Sequence, residues 1–237
     1  TPMSDRNGRF ADAIILAAGL SARMGGTDKL MMEVRGVPLL AWTLRAAAAA
    51  RSVRRIIVVA HPDHAADLAK ETWIRAVDAK IVLGGARRQD SVAAGVDEAD
   101  GLVILIHDGA RPLVTSGLFD VVAAAAREHG AAVPIVPVPE SMRRVVDGEI
   151  VGILDRGGLY RSQTPHGARR EVLLRAYAVQ DPRGPETFID ETTLVQAAGI
   201  IVATVPGEAT NLKVTLPGDA ELAIALLDAR APSGFSY

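Results

Sequence analysis

Ala11-Asp12-Ala13-Ile14-Ile15-Leu16-Ala17, running into Ala18-Gly19, decides the architecture. A short apolar run that ends on small residues predicts a strand buried on both faces, as in a parallel sheet covered by helices. Further β-branched runs follow at Arg55–Ala60, Lys80–Leu83, Leu102–His107, Ala131–Val138 and Ile200–Val205. Helical patterns separate them. One opens at Pro38 and runs through Trp42 and Leu44 to Ala50, and others cover Asp63–Lys70, Asp90–Ala99, Ser116–His129, Ala168–Val179, Asp190–Ala198 and Asp219–Ala229. Strand and helix alternating in this way predict an α/β fold: a doubly wound, mostly parallel, Rossmann-like sheet with helices on both faces.

One segment departs from the rhythm. Ser141–Val146 and Glu149–Leu154 are extended runs joined by Asp147-Gly148, a strong hairpin signal. Such a hairpin has little core of its own, so it is expected to protrude as an arm, at about residues 138–160, that packs on a second subunit. No internal repeat, low-complexity tract or linker divides the chain, and a single domain over residues 3–230 is expected. Thr1 and Pro2, ahead of Met3, are expected to be a remnant foreign to the natural start.

Composition narrows the chemistry. Apolar residues make up 49% of the 237 residues and aromatics only 4%, so Ala, Val, Leu and Ile must fill the core. A formal charge of −2 gives no reason to expect nucleic acid or a membrane surface as partner. The absence of cysteine excludes disulfides, thiolate metal sites and a Cys nucleophile, and fits a cytoplasmic protein. No apolar run is long enough to span a membrane: Ala41–Ala50 is interrupted by Arg45.

Ligands of open α/β sheets bind at the carboxyl ends of strands. The loop from Ala17 to Lys29 leaves that end of the first strand. Its small residues allow backbone N–H groups to approach a phosphate chain, and Arg23 and Lys29 add two mobile positive charges. It lacks the Gly-Lys-Ser/Thr ending of a Walker A loop and the glycine spacing of a dinucleotide fingerprint. An ordinary flexible connection with solvated charges is the competing reading.

The Ala-Ala-Gly turn followed by an Arg and a Lys resembles the nucleotidyltransferases that act on sugars and sugar alcohols. Four further segments carry the resemblance to one family: Gly84-Gly85-Ala86-Arg87-Arg88-Gln89-Asp90-Ser91, His107-Asp108-Gly109-Ala110-Arg111-Pro112, Asp155-Arg156-Gly157-Gly158-Leu159-Tyr160 with Gln163-Thr164-Pro165, and Asn211-Leu212-Lys213-Val214-Thr215. In order and spacing they are similar to the 2-C-methyl-D-erythritol 4-phosphate cytidylyltransferases of isoprenoid-precursor synthesis. Departures stand at Leu16, where the family often has Pro, and at Ile189, where Thr is common. Glu140-Ser141-Met142-Arg143 keeps only the Met of the family's Asp-Thr-Met-Lys.

The resemblance implies transfer of CMP from CTP, with Mg²⁺, to a polyol phosphate, by a set of cationic side chains rather than a general base: Arg23 and Lys29 stabilising the transition state, Arg156 and Lys213 positioning the incoming phosphate. Arg156 would reach across from a partner subunit in a homodimer. It places Ala17, Ala18, Gly19, Gly85, Ser91, Asp108 and Ala110 around the nucleotide, and Asp108, Arg111, Ser141, Thr164 and Asp190 with Arg156 and Lys213 around the acceptor. Asp108 would meet Mg²⁺ or acceptor hydroxyls, or else pair with Arg111 and order its turn. Asp190 would bind hydroxyls or cap the following helix, and His107 and His166 are expected to be structural. The changes at Ile189 and Ser141 leave open another acceptor, such as ribitol 5-phosphate or a phosphonate. The turn alone would also suit a uridylyl- or guanylyltransferase, or a non-catalytic nucleotide-binding domain.

Overall fold

The structure, a computed structural model, describes residues 8–19 and 29–230. The first strand, β1 (Ala11–Ala17), pairs in parallel with β4 (Val53–Ala60) on one side and β6 (Val103–Asp108) on the other. β5 (Lys80–Leu83) continues the sheet beyond β4. Between β1 and β4 lie a small hairpin, β2 (Glu33–Val34) and β3 (Val37–Pro38), and helix α1 (Leu39–Ala49). Helices α2 (Pro62–Leu68) and α3 (Thr72–Arg75) lead to β5, and α4 (Arg88–Asp97) leads to β6.

Side-chain alternation shows why the middles of these runs are apolar on both faces. Ala13, Ile15, Ile56, Val58, Val103 and Leu105 face a core filled by α1–α3 and α5 (Ser116–His129). Ile14, Ile57, Val59, Ile104 and Ile106 point the other way, onto α4, α6 (Arg170–Val179) and α7 (Glu191–Ala197). Both faces of the sheet are thus covered by helices, as the two-sided burial of β1, β4 and β6 requires.

Beyond β6 the sheet is no longer purely parallel. β7 (Ala131–Pro137) does not touch β6 directly, because β11 (His166–Arg169) lies between them, antiparallel to both. β10 (Tyr160–Ser162) runs along the same edge of β7. β12 (Ala203–Pro206) pairs in parallel with the opposite edge. The helix expected from Ala168 therefore begins two residues later, at Arg170, since Ala168 belongs to the sheet. The last strand is also shorter than the run from Ile200. The final helix, α8 (Pro217–Arg230), packs through Ala220, Ala223 and Leu227 in a cluster with Val34 of β2, Leu39 and Leu113.

The hairpin forms where the sequence places it, as β8 (Met142–Val146) and β9 (Glu149–Leu154). Val146 pairs with Glu149, leaving the two-residue loop Asp147-Gly148 with φ of 50° and 84°. Both residues need the left-handed region, which Asp tolerates and Gly adopts freely. The two strands form their own sheet, separate from the central one. No helix among the described residues is long and apolar enough to cross a membrane.

Candidate active site

Register carries the site. Ala17 of β1 pairs with Ala60 of β4, and Ala60 with Leu83 of β5, so the residues that follow, Ala18, His61 and Gly84, leave the sheet in one row. On the other flank Leu16 pairs with Asp108. These carboxyl ends open into a cleft of about 590 Å³ whose walls include Ala18, Gly19, Lys29, His61, Gly85, Arg88, Ser91, Asp108, Ala110 and Lys213. The Gly84-Gly85 turn packs tightly on the first loop: a Cβ on Gly84 would stand 2.5 Å from the Ala18 Cβ. The buried Ser91 hydroxyl braces that turn by accepting the Gly85 N–H at 3.1 Å.

Asp108 is the electrostatic centre. Its carboxylate lies 3.1 Å from the Arg88 guanidinium, 2.9 Å from the Lys213 ammonium and 3.8 Å from Arg111. Burial alone would raise its pKa, but the charges of Arg88, Lys213 and Arg111 prevail and hold the carboxyl well below the usual range. Arg88 also pairs with the buried Glu191 at 2.6 Å, and Glu191 lies 3.0 Å from the His166 ring. Burial opposes ionisation of Glu191 too, yet Arg88 and the His166 hydrogen bond keep its pKa low. Three cations thus surround two buried carboxylates, leaving positive charge directed at the cleft.

Lys213 reaches Asp108 because its segment is sewn to the strand ends. The Val214 N–H donates to the Ala110 carbonyl at 2.8 Å, Arg111 donates to the Asn211 carbonyl at 2.8 Å, and the Asn211 amide donates to the Thr164 carbonyl at 2.9 Å. Behind Asp108, the Thr164 hydroxyl accepts the Asp108 N–H at 3.1 Å and lies 2.9 Å from His107 Nδ1. Burial drives the His107 pKa down to about 3, so the ring is neutral. Its Nε2 faces the Arg111 carbonyl at 3.4 Å and must carry the hydrogen, which leaves Nδ1 to accept from Thr164.

The sequence-derived residues divide into groups. Ala18, Gly19, Lys29, Gly85, Ser91, Asp108, Ala110 and Lys213 meet at the cleft. Ala17 closes β1 beneath it. Arg111 and Thr164 sit behind Asp108: Arg111 lies beside its carboxylate, and the buried Thr164 hydroxyl bonds its backbone N–H and the His107 ring. Asp190 caps α7, its Oδ1 accepting from the Thr193 N–H at 2.9 Å. Ser141 and Arg156 lie with the hairpin, where Arg156 donates to the Pro139 carbonyl. Arg23 lies outside the described residues. His107 and His166 are buried.

Asp108 is a poor direct ligand for a divalent cation, because both its oxygens face protein cations. Among the described residues, no three His, Cys, Asp or Glu gather as a metal cage. A magnesium ion here would have to be carried on phosphate oxygens and water.

Arg88, Glu191 and His61 belong to the site without having been singled out. For Arg88 the signal was available: it precedes Ser91 by three positions, which puts both on one face of α4. Glu191 sits 103 residues from Arg88, and nothing local announces that contact.

Comparison with known proteins shows the family of the chain. The family described as 2-C-methyl-D-erythritol 4-phosphate cytidylyltransferase matches residues 11–229. A protein of that name from Cereibacter sphaeroides (strain KD131) is 41% identical over 91% of this chain and 96% of its own length. A bifunctional enzyme IspD/IspF from Anaeromyxobacter dehalogenans is 38% identical, and there the chain spans 58% of the relative's length. The crystal structure of 2-C-methyl-D-erythritol 4-phosphate cytidylyltransferase from Thermus thermophilus superposes with a TM-score of 0.75 at 35% identity, covering 92% of this chain and 98% of that one. The chain therefore belongs to the 2-C-methyl-D-erythritol 4-phosphate cytidylyltransferase family.

Proposed function

We propose that this chain transfers CMP from CTP to 2-C-methyl-D-erythritol 4-phosphate, releasing pyrophosphate and 4-diphosphocytidyl-2-C-methyl-D-erythritol. A phosphate oxygen of the acceptor attacks the α-phosphorus of CTP. The bond from that phosphorus to the bridging oxygen breaks, and its electron pair leaves with pyrophosphate. The acceptor's second pKa is near 6, so it arrives as a dianion and needs no base to remove a proton. CTP enters as its magnesium complex.

The observation that supports this most directly is the meeting of the Gly85–Ser91 turn with Lys29, Lys213 and Asp108 in one cleft. The barrier is repulsion between anions and charge gathering at phosphorus, which fixed cations lower. Lys29, with Arg23, would act on the triphosphate. Lys213 and Arg111, oriented through Asp108, would draw in the acceptor phosphate. The turn's carbonyl groups would accept from the cytosine amino group and so reject uracil.

Arg156 would serve the site of a second subunit. Val145, Val146, Ile150, Val151 and Ile153 on the hairpin are all more than half exposed, an apolar surface that a homodimer would cover. A cytoplasmic setting accords with these soluble substrates. Ile189, 84% exposed beside Asp190, favours testing a second acceptor, ribitol 5-phosphate.

Pyrophosphate release with paired nucleotides and acceptors tests the reading. CTP with methylerythritol phosphate is expected to give the highest kcat/KM. Equal rates with UTP would defeat the donor assignment, and turnover of ribitol phosphate alone would defeat the acceptor. For the arm, mixed Arg156→Ala and Lys29→Ala chains are expected to regain part of the activity that each lacks. No recovery would mean each site is built from one chain.

A further inference from the structure

We propose that His61 is a further nucleotide-contacting residue, donating a hydrogen bond from Nε2 to the nucleoside half of the donor. It rests on the reading of the cleft as a CTP site.

His61 follows β4 directly and stands in the cleft wall between Ala18 on one neighbouring strand end and Gly84 on the other. The Gly84 N–H donates to the Ala60 carbonyl at 2.8 Å, which fixes the spacing between His61 and the turn. A Cβ on Gly84 would meet Ala18, Ser91 and the Ala60 carbonyl within 3.2 Å, so these groups are close-packed beneath one end of the cleft. Asp108 and Lys213 belong to the other flank, since Asp108 pairs with Leu16 on the far side of β1. His61 is therefore at the end carrying the turn, away from the cations that would hold the acceptor phosphate.

The ring's tautomer follows from its contacts. His61 is the N-cap of α2, and its Nδ1 accepts the Asp63 N–H at 3.3 Å. A neutral imidazole that accepts at Nδ1 carries its hydrogen on Nε2. The cap thus occupies one nitrogen and leaves a donor on the other edge of a ring that lines the cleft. Other groups near the ring are the Asp63 carboxylate, 3.6 Å from Nδ1, and the His64 ring, with centroids 5.8 Å apart. Both belong to the α2 side.

Two functions of one ring separate by substitution. His61→Asn and His61→Ser keep a side-chain oxygen that caps α2 but are too short to offer the second donor. Calorimetric titration with CTP and with CMP, alongside thermal unfolding, reads the difference. The expected result is an unchanged Tm and an affinity loss of about 2- to 12-fold, the worth of one neutral hydrogen bond, for both nucleotides. In turnover the loss is expected in KM for CTP, with kcat unchanged. Wild-type affinity in both variants would overturn the proposal and leave His61 a cap. A loss with CTP but not CMP would also overturn it, by placing the contact on the β- and γ-phosphates. If the wild-type chain binds neither nucleotide, the CTP reading itself fails.

Discussion

The central sheet buries a carboxylate at each end, and the two are used differently. At the amino end, Asp12 is fully buried and its Oδ2 accepts the backbone N–H groups of Asp100 and Gly101 at 2.9 and 2.8 Å. Arg54 pairs with it at 2.8 Å, and Arg54 and Arg55 also pair with Asp100. Two arginines face two aspartates, so the cluster is neutral. At the carboxyl end, Asp108 and Glu191 face Arg88, Arg111 and Lys213. A balanced cluster around one buried carboxylate holds strands together. A cluster with a cation to spare, opening on a cleft, is arranged to receive an anion.

The strongest way to break that contrast is at Lys29 on the cleft. Lys29→Ala is expected to lower kcat by about 10²- to 10³-fold, the range for removing one preorganised donor at developing charge. CTP affinity is expected to change far less. Equal losses in kcat and in affinity would make Lys29 an ordinary binding residue. The amino end should answer in stability instead: Asp12→Ala should cost about 2–4 kcal/mol, because two buried N–H groups lose their acceptor and Arg54 loses a partner. Its KM values should match wild type below the unfolding range. A shifted KM would show that the two ends are coupled.

Acid unfolding sharpens the comparison further. The folded-state pKa of Asp108 is depressed, so its ionised form contributes stability that is complete above the unfolded carboxylate value near 4 and fades as pH falls below it. Between those two pKa values the unfolded chain binds more protons. Asp108→Asn should remove up to about 1.4 kcal/mol per pH unit from the acid slope of stability below pH 4. An unchanged slope would mean that other carboxylates, Glu191 first among them, dominate that limb.

Local chemistry made much of this legible. β1 was readable because a strand buried on both faces is apolar along nearly all its length, Asp12 being the exception, and the hairpin because Asp147-Gly148 suits φ values of 50° and 84°. The cleft's floor followed from the rule that ligands meet strand carboxyl ends. β11 was missed because His166–Arg169 has no β-branched residue and runs straight into a helix, so its helical continuation masked it. The β2–β3 hairpin escaped for a different reason: its strands are two residues long, and its turn uses Arg35 at φ 51° ahead of Gly36. Family motifs led to Asp108, Lys29 and Lys213. The Arg88–Glu191 pair joins segments 103 residues apart, and only the fold brings it to the same carboxylate.

The smallest effects make the cleanest test, because one deletion can be made at both ends. Ser91 accepts the Gly85 N–H at the cleft, while the Ser52 hydroxyl, at the amino end, donates to Asp120 Oδ1 at 2.6 Å. Removing either hydroxyl should cost about 1 kcal/mol of stability, the usual worth of one hydrogen bond. Ser91→Ala also loosens the turn proposed to read the base, so KM for CTP should rise about fivefold with kcat held, a uniform binding loss. Ser52→Ala should leave KM untouched. If both variants shifted KM alike, the effect would be traced to general loosening of the sheet, and the functional distinction between its two ends would be lost.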